Sequence, residues 1–356
     1  MNDGLRRVAD KSEEAFTGWN NTSVSVSKEM VMKKLYLITG ATGHVGNVLV
    51  DELKRRHESI RILVHHKQQD GNLPEGVDVC FGDVTDRESL LPFYNCAGFD
   101  HVTLIHCAAF ISVASKQDLR VWTTNVDGTE NIMELALSNN IDRVVYVSSV
   151  HAIPERPVPE IITEVSSFSP DLVQGQYAKS KAAAAQIVME YAKKGLNASI
   201  VHPSGIIGPG DVMVKNHMIR TIRAMAAGRI PVAIQGGYDF VDSRDVVEGI
   251  LSCEEYGTAG ECYILNGHYI SVRNLLNRVR GIAGKRPVTI ELPYRLANGI
   301  APAAERVSLI FGKNAPLFTP YSVYTLHTNG AFSHDKAYKA FGYCPREIDE
   351  SIQASL

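Results

Sequence analysis

Leu35-Tyr36-Leu37-Ile38-Thr39-Gly40-Ala41-Thr42-Gly43-His44-Val45-Gly46 commits this chain to one kind of architecture. Leu35 to Thr39 is a continuous apolar run, as expected of a strand covered on both faces of a parallel sheet. Glycines then open a turn into a helix near Val45–Arg56. Gly40 and Gly43 allow a tight turn and let backbone N–H groups approach a diphosphate, while Gly46 lets the helix pack closely on the strand. The helix N-terminus attracts the anion. The plain alternative is a β–α turn that is merely glycine-rich, and the flanking strand and helix weigh against it.

The same alternation continues outward. Strands are predicted at Ile60–Val64, Val77–Phe81, Val102–His106, Val144–Ser148 and Ser199–His202, with helices between them, notably Val126–Ser138 and Gln174–Lys194. Buried parallel strands alternating with helices imply an α/β fold, a doubly wound (Rossmann) sheet with right-handed crossovers. After Pro203 the pattern loosens: helices are expected at Asn216–Ala227, Val241–Cys253 and Val272–Ala283, with a strand at Tyr263–Leu265. This gives an N-terminal extension (1–33), a nucleotide-binding domain (34–204) and a smaller, mostly helical substrate-binding region (205–356), of which about 241–285 returns to the main sheet.

Composition bounds the rest. A formal charge of −3 and the absence of a dense basic tract argue against a nucleic-acid partner. The six cysteines form no CxxC pair and no zinc-type spacing, so no metal site is expected and a reducing, cytoplasmic compartment is the plain reading. No apolar run reaches the ~18–20 residues of a membrane span. The polar leader has no secretory core. It reads as a surface helix, a disordered arm or an upstream start-site extension.

The end of the second strand in such a fold reads the adenosine ribose, where an acid favours NAD and basic groups accommodate the 2′-phosphate of NADP. Here it is Val64-His65-His66-Lys67, with no acid until Asp70. A carboxylate would repel the phosphate. NADP(H) is therefore favoured, and NAD(H) is the alternative. Further on, Tyr177-Ala178-Lys179-Ser180-Lys181 sits on an alanine-rich predicted helix. The i, i+4 spacing puts Tyr177 and Lys181 on one face, where an ammonium favours phenolate and lowers the tyrosine pKa. Alone the pair is a weak signal. Ser148-Ser149 ends the fifth strand, where a hydroxyl can meet a substrate oxygen, unless it merely satisfies a turn.

Together these residues resemble the extended branch of the short-chain dehydrogenase/reductase superfamily, the NAD-dependent epimerase/dehydratase family, from Lys34 almost to the C-terminus. Gly82-Asp83-Val84-Thr85-Asp86 looks like its adenine-side motif, with Asp83 as the base contact. His106-Cys107-Ala108-Ala109 looks like the strand-end segment that packs on the cofactor, and Asn125-Val126-Asp127-Gly128-Thr129 like the helix motif whose Asn supports the active site. His202-Pro203-Ser204-Gly205-Ile206 is similar to the segment near the nicotinamide, although the family usually has Arg at the position of His202. The resemblance implies Tyr177 as general acid/base, Lys181 as its pKa tuner and ribose anchor, and Ser149 as hydrogen-bond donor to the substrate oxygen. It also implies that Gly40, Thr42, Gly43, His44, Val45, Gly46, Ser148, Pro203, Ser204 and Ile206 line the cofactor.

Within the branch, Tyr238-Asp239-Phe240-Val241-Asp242-Ser243-Arg244-Asp245 and Gly208-Pro209-Gly210-Asp211 look most like the dihydroflavonol-reductase and 3β-hydroxysteroid-dehydrogenase groups. Nucleotide-sugar epimerases usually carry Arg where Gly210 stands. The stretch Pro316–Tyr321 is rich in apolar and aromatic residues, which suits an apolar ketone or alcohol as well as plain core packing. The segment His151–Pro170 carries prolines at 154, 157, 159 and 170 and is expected to border the substrate, with a solvated loop the favoured reading and ligand contact by His151 and Glu155 the alternative. The favoured function is a dehydrogenase or reductase acting on a hydrophobic or polycyclic small molecule. An epimerase or dehydratase using transiently reduced NAD is the alternative, and a nucleotide sensor the third. Resemblance also implies a homodimer, paired through 118–138 and 174–194.

Overall fold

The structure is a computed structural model and describes residues 32–65, 73–112, 115–210, 216–311 and 318–356. The N-terminal extension, Met32 and Lys33 apart, lies outside the described residues, as do His66 and Lys67. Lys33–Leu356 forms one compact unit. Strand β1 (Lys34–Thr39) is buried at every position but its first and leads into helix α1 (His44–Arg55). With β2 (Ser59–Val64), β3 (Asp78–Phe81), β4 (His101–His106), β5 (Arg143–Val147), β6 (Ala198–Pro203) and β10 (Cys262–Leu265) it forms a seven-stranded sheet in the order β10-β6-β5-β4-β1-β2-β3. Every neighbouring pair is parallel.

Period-2 alternation splits each central strand between two cores. Leu35 and Leu37 join one with Leu104, Val144 and Tyr146, while Tyr36 and Ile38 join the other with Ile105, Val145 and Val147. α3 (Gly128–Ser138) and α4 (Gln176–Lys193) cover the first through Ile132, Met133, Ala182 and Ala185. α1 and α6 (Ser243–Tyr256) cover the second through Leu49, Leu53, Val246 and Ile250. In α1 the buried residues Val45, Leu49 and Leu53 recur every fourth position, so one stripe faces the sheet. Strand order reverses on either side of β1, and in such sheets ligands bind there, beyond the carboxyl ends of the strands.

The later segments differ from expectation in two places. The helix expected from Val241 begins at Ser243, because Gly237–Asp242 is strand β9 and the Asp242 carboxylate caps the helix by accepting from the Arg244 amide at 2.8 Å. β9 is buried almost throughout, so it shows no alternation from which to read a strand. It pairs with β7 (Gly205–Ile207) and β11 (His268–Ser271) in a second sheet. Likewise α4 starts at Gln176 rather than Gln174, because Gly175 holds φ at +91°. Around the second sheet lie α5 (His217–Ala226), α7 (Val272–Ile282) and α11 (Ile348–Ser355). α9 (Pro320–His327) packs against α8 (Tyr294–Phe311). Among the described residues no helix is long and apolar enough to cross a membrane.

Candidate active site

The glycine turn is a cradle of bare backbone. Gly40 has φ at +72°, and a Cβ there would lie 2.6 Å from the Ala108 amide nitrogen. A Cβ on Gly46 would lie 2.1 Å from the Gly40 carbonyl oxygen, so helix and turn touch backbone to backbone. Gly43 caps α1 without a side chain, and no acid stands in the first helical turn. These residues fit a diphosphate: donors and helix dipole converge where no side chain intrudes. Thr42 is half-buried in the turn and Val45 faces the core. The His44 imidazole bonds the Pro209 carbonyl at 2.7 Å and the Asn216 amide at 2.8 Å.

His65 follows β2, and its Nε2 lies 3.0 Å from the Asp83 carboxylate. Burial raises the Asp83 carboxyl, but the Thr85 amide and hydroxyl and His65 together outweigh it and hold it below the usual range. Val84 follows, packed so closely on α3 that a Cβ on Gly128 would meet it at 2.7 Å. Ala108 anchors the next strand end by donating its amide to Thr39 Oγ1 at 3.2 Å, with Ala109 beside it. Beneath them His106 bridges Thr39 at 2.6 Å and Thr129 at 3.1 Å. Burial, helped by the nearby Lys181 charge, lowers this imidazole to about 3.

Ser148 and Ser149 close β5, and Ser149 caps a short 3-10 turn over Val150–Ala152. α4 presents Tyr177 one residue after its start, with the Ser149 side chain near its phenol. Lys181 lies one helical turn further, buried. Its ammonium donates to the Val147 carbonyl at 2.8 Å and to the Tyr146 hydroxyl at 3.1 Å. The expected shift of Tyr177 is reversed here: burial pushes the phenol up to about 12, against the pull of the nearby Ser149 side chain, and burial drives Lys181 down to about 7. Desolvation disfavours both charges more than the pair supports them.

Asn125 sits in a single π turn, Thr123–Asp127, that joins the short helix α2 (Leu119–Trp122) to α3. Its amide accepts from the Phe110 N–H at 2.7 Å and donates to the Phe110 carbonyl at 3.0 Å and to Ser180 Oγ at 2.9 Å, tying the loop after β4 to α4. His202 donates through Nδ1 to the Ser149 carbonyl at 2.9 Å, which gives this departure from the family pattern a place: it steadies the β5 end. Pro203 ends β6, the Ser204 amide bonds the Leu265 carbonyl at 3.3 Å, and Ile206 lies in β7 against Val241.

The reading of His151 as solvated is overturned. Its ring is stacked on Tyr238 at 5.7 Å and lies 6.2 Å from both Tyr177 and Tyr321. Its Nε2 bonds the Tyr238 hydroxyl at 2.8 Å, and burial lowers its pKa to about 4, so it is neutral. Glu155 is exposed yet engaged, accepting from the Tyr324 hydroxyl at 2.8 Å. An aromatic wall therefore stands beside Tyr177. Sequence reasoning passed over Tyr146, Tyr238 and Tyr321 as site residues. The only traces were the Tyr238–Asp245 motif and the aromatic stretch ending at Tyr321.

The model for the family described as NAD dependent epimerase/dehydratase matches residues 36–265. Sterol demethylase protein B of Methylococcus capsulatus is 31% identical, covering 87% of this chain and 93% of that protein. The 4-hydroxy-2-methyl-3-oxo-4-farnesyl-3,4-dihydroquinoline-1-oxide ketoreductase of Stigmatella aurantiaca is 28% identical over 87% of this chain and 91% of its own length. Among solved structures, that of gox2253 superposes with a TM-score of 0.77 at 31% identity, over 90% of this chain and 96% of that one.

Proposed function

This chain belongs to the NAD dependent epimerase/dehydratase family, within the extended short-chain dehydrogenases/reductases, and is an NAD(P)-dependent oxidoreductase; from that premise we propose that it interconverts a ketone and an alcohol on a hydrophobic, ring-containing small molecule, with NADP(H) favoured. The observation that carries this reading is the Ser149 side chain beside the Tyr177 phenol after β5, with the His151 ring 6.2 Å from Tyr177 and packed against Tyr238 and Tyr321. A bound nicotinamide supplies the hydride in reduction and accepts it in oxidation. In reduction the Ser149 hydroxyl donates a hydrogen bond to the carbonyl oxygen, and Tyr177 delivers its proton to that oxygen as the carbon receives the hydride. Lys181, held by Val147 and Tyr146, places a positive charge near the phenolate that remains. Asn125 and His202 keep α4 and the β5 end in register for this.

Three features support the substrate class. The wall is aromatic and its histidine is neutral, which suits flat apolar rings. A Cβ on Gly210 would lie 2.2 Å from Val48 Cγ2, so no cationic side chain for a sugar diphosphate fits at that turn. The two curated relatives carry names that point to a sterol and to a farnesylated quinoline ketone. NADP(H) is favoured because no acid follows Val64 at the end of β2. Fluorescence titration with NADPH and NADH tests the cofactor, NADPH being expected to bind more tightly. Tyr177→Phe tests the mechanism: ketone-dependent NADPH oxidation is expected to fall by about 10²–10⁴-fold with NADPH affinity retained. Full activity in that variant would overturn it.

A further inference from the structure

Among the described residues Ser148 Oγ, His202 Nε2, Ser204 Oγ and the Tyr321 hydroxyl are shut off from solvent without a hydrogen-bond partner, and of these Tyr321 is the one in the aromatic wall that packs on His151. A buried hydroxyl left unbonded lowers stability, so its retention needs a reason. The ring has a prepared seat. Gly175, at φ +91°, leaves a notch in which an added Cβ would lie 2.3 Å from Tyr321 Cε2. That notch is two residues from Tyr177. The other end is fixed too, because Thr319 and Ser322 form a reciprocal capping box around Pro320 and Tyr321 at the start of α9. Tyr238 is seated in the same manner over Gly205, where a Cβ would lie 2.9 Å from its ring, but its hydroxyl is taken by His151 at 2.8 Å. Of the two phenols whose rings pack on His151, one is therefore bonded and the other is left without a partner.

We propose that Tyr321 is a specificity-determining residue whose hydroxyl bonds a second oxygen of the substrate, distinct from the one that Tyr177 protonates. The substrate is then a ring ketone or alcohol carrying two oxygen functions, one at Ser149 and Tyr177 and the other across His151 at Tyr321. This rests on the ketone–alcohol reading above. A site built to bond an oxygen discriminates against an analogue that lacks it, since the protein group is then left unpaired.

The test uses matched ketones, androstanedione against androstanone and 3-hydroxyflavanone against flavanone, with wild type and Tyr321→Phe. Wild type is expected to favour the member with the second oxygen in at least one pair by about tenfold in kcat/KM, mainly through KM, and Tyr321→Phe to erase that preference. Because the free hydroxyl has no partner, the melting temperature of Tyr321→Phe is expected to stay level or rise, whereas a merely structural hydroxyl would lower it. Equal turnover of both members by wild type, or an unchanged preference in Tyr321→Phe, overturns the assignment alone. A wild type that reduces none of the four overturns the parent reading and this one with it.

Discussion

Burial holds the Tyr177 proton tightly, at about 12, so at neutral pH the side chain carries the proton that ketone reduction consumes. Alcohol oxidation needs the phenolate, whose fraction grows about tenfold per pH unit below the pKa. Oxidation of an alcohol at saturating cofactor is therefore expected to climb steeply with pH from about 6, while reduction stays nearly level. Lys181 loses its charge near 7, which weakens its pull on the phenolate and bends the climb downward above that point. Initial rates in both directions measure this, and a flat oxidation profile would sink Tyr177 as the base. Ser149, Tyr177 and Lys181 were legible because strand ends and i, i+4 spacing are local. Tyr146 lies 35 residues from Lys181 and Tyr238 lies 87 from His151, so those pairings are made by topology and leave no local pattern.

A helix that enters a sheet through bare backbone tolerates no side chain at the crossing. At Gly46 the obstacles to a Cβ are the Gly40 carbonyl at 2.1 Å and the Ala41 Cα at 2.7 Å, and neither can swing aside. Gly46→Ala is expected to cost about 1–3 kcal/mol as overpacking and to weaken NADPH binding about tenfold or more, because the phosphate cradle shifts with the helix. Gly281→Ala in α7 is the control: a Cβ there meets nothing within 4 Å, so the melting temperature should hold or rise. Thermal melts and NADPH titration of both variants check this, and equal behaviour would refute it. The glycine turn was readable because its demands fall within eight residues. The second sheet was not, since β9 is buried without alternation and its short partners β7 and β11 pair with it across intervening helices.

At the scale of the molecule, β–α alternation was enough to predict the doubly wound sheet, since each buried strand reads as an apolar run. Three imidazoles were not predictable from it: His106, His151 and His202 are held neutral by burial, at about 3, 4 and 4. Unfolded, each takes up a proton near 6.5, so between 6.5 and about 4 the unfolded state binds more protons. Stability is then fully present above that window and falls as pH drops through it, at up to roughly 4 kcal/mol per pH unit for three groups. Melting temperature is expected to drop sharply between about pH 6 and about pH 5, and a level curve there would contradict the burial. The proposed proton-transfer groups hang from the end of β5 and from α4, whereas Tyr238 and Tyr321 come from β9 and α9, outside the main sheet. The two can therefore vary separately: a change in the aromatic wall alters what fits beside Tyr177 without disturbing β5 or α4, so the scaffold is open to new substrates at little cost to its chemistry.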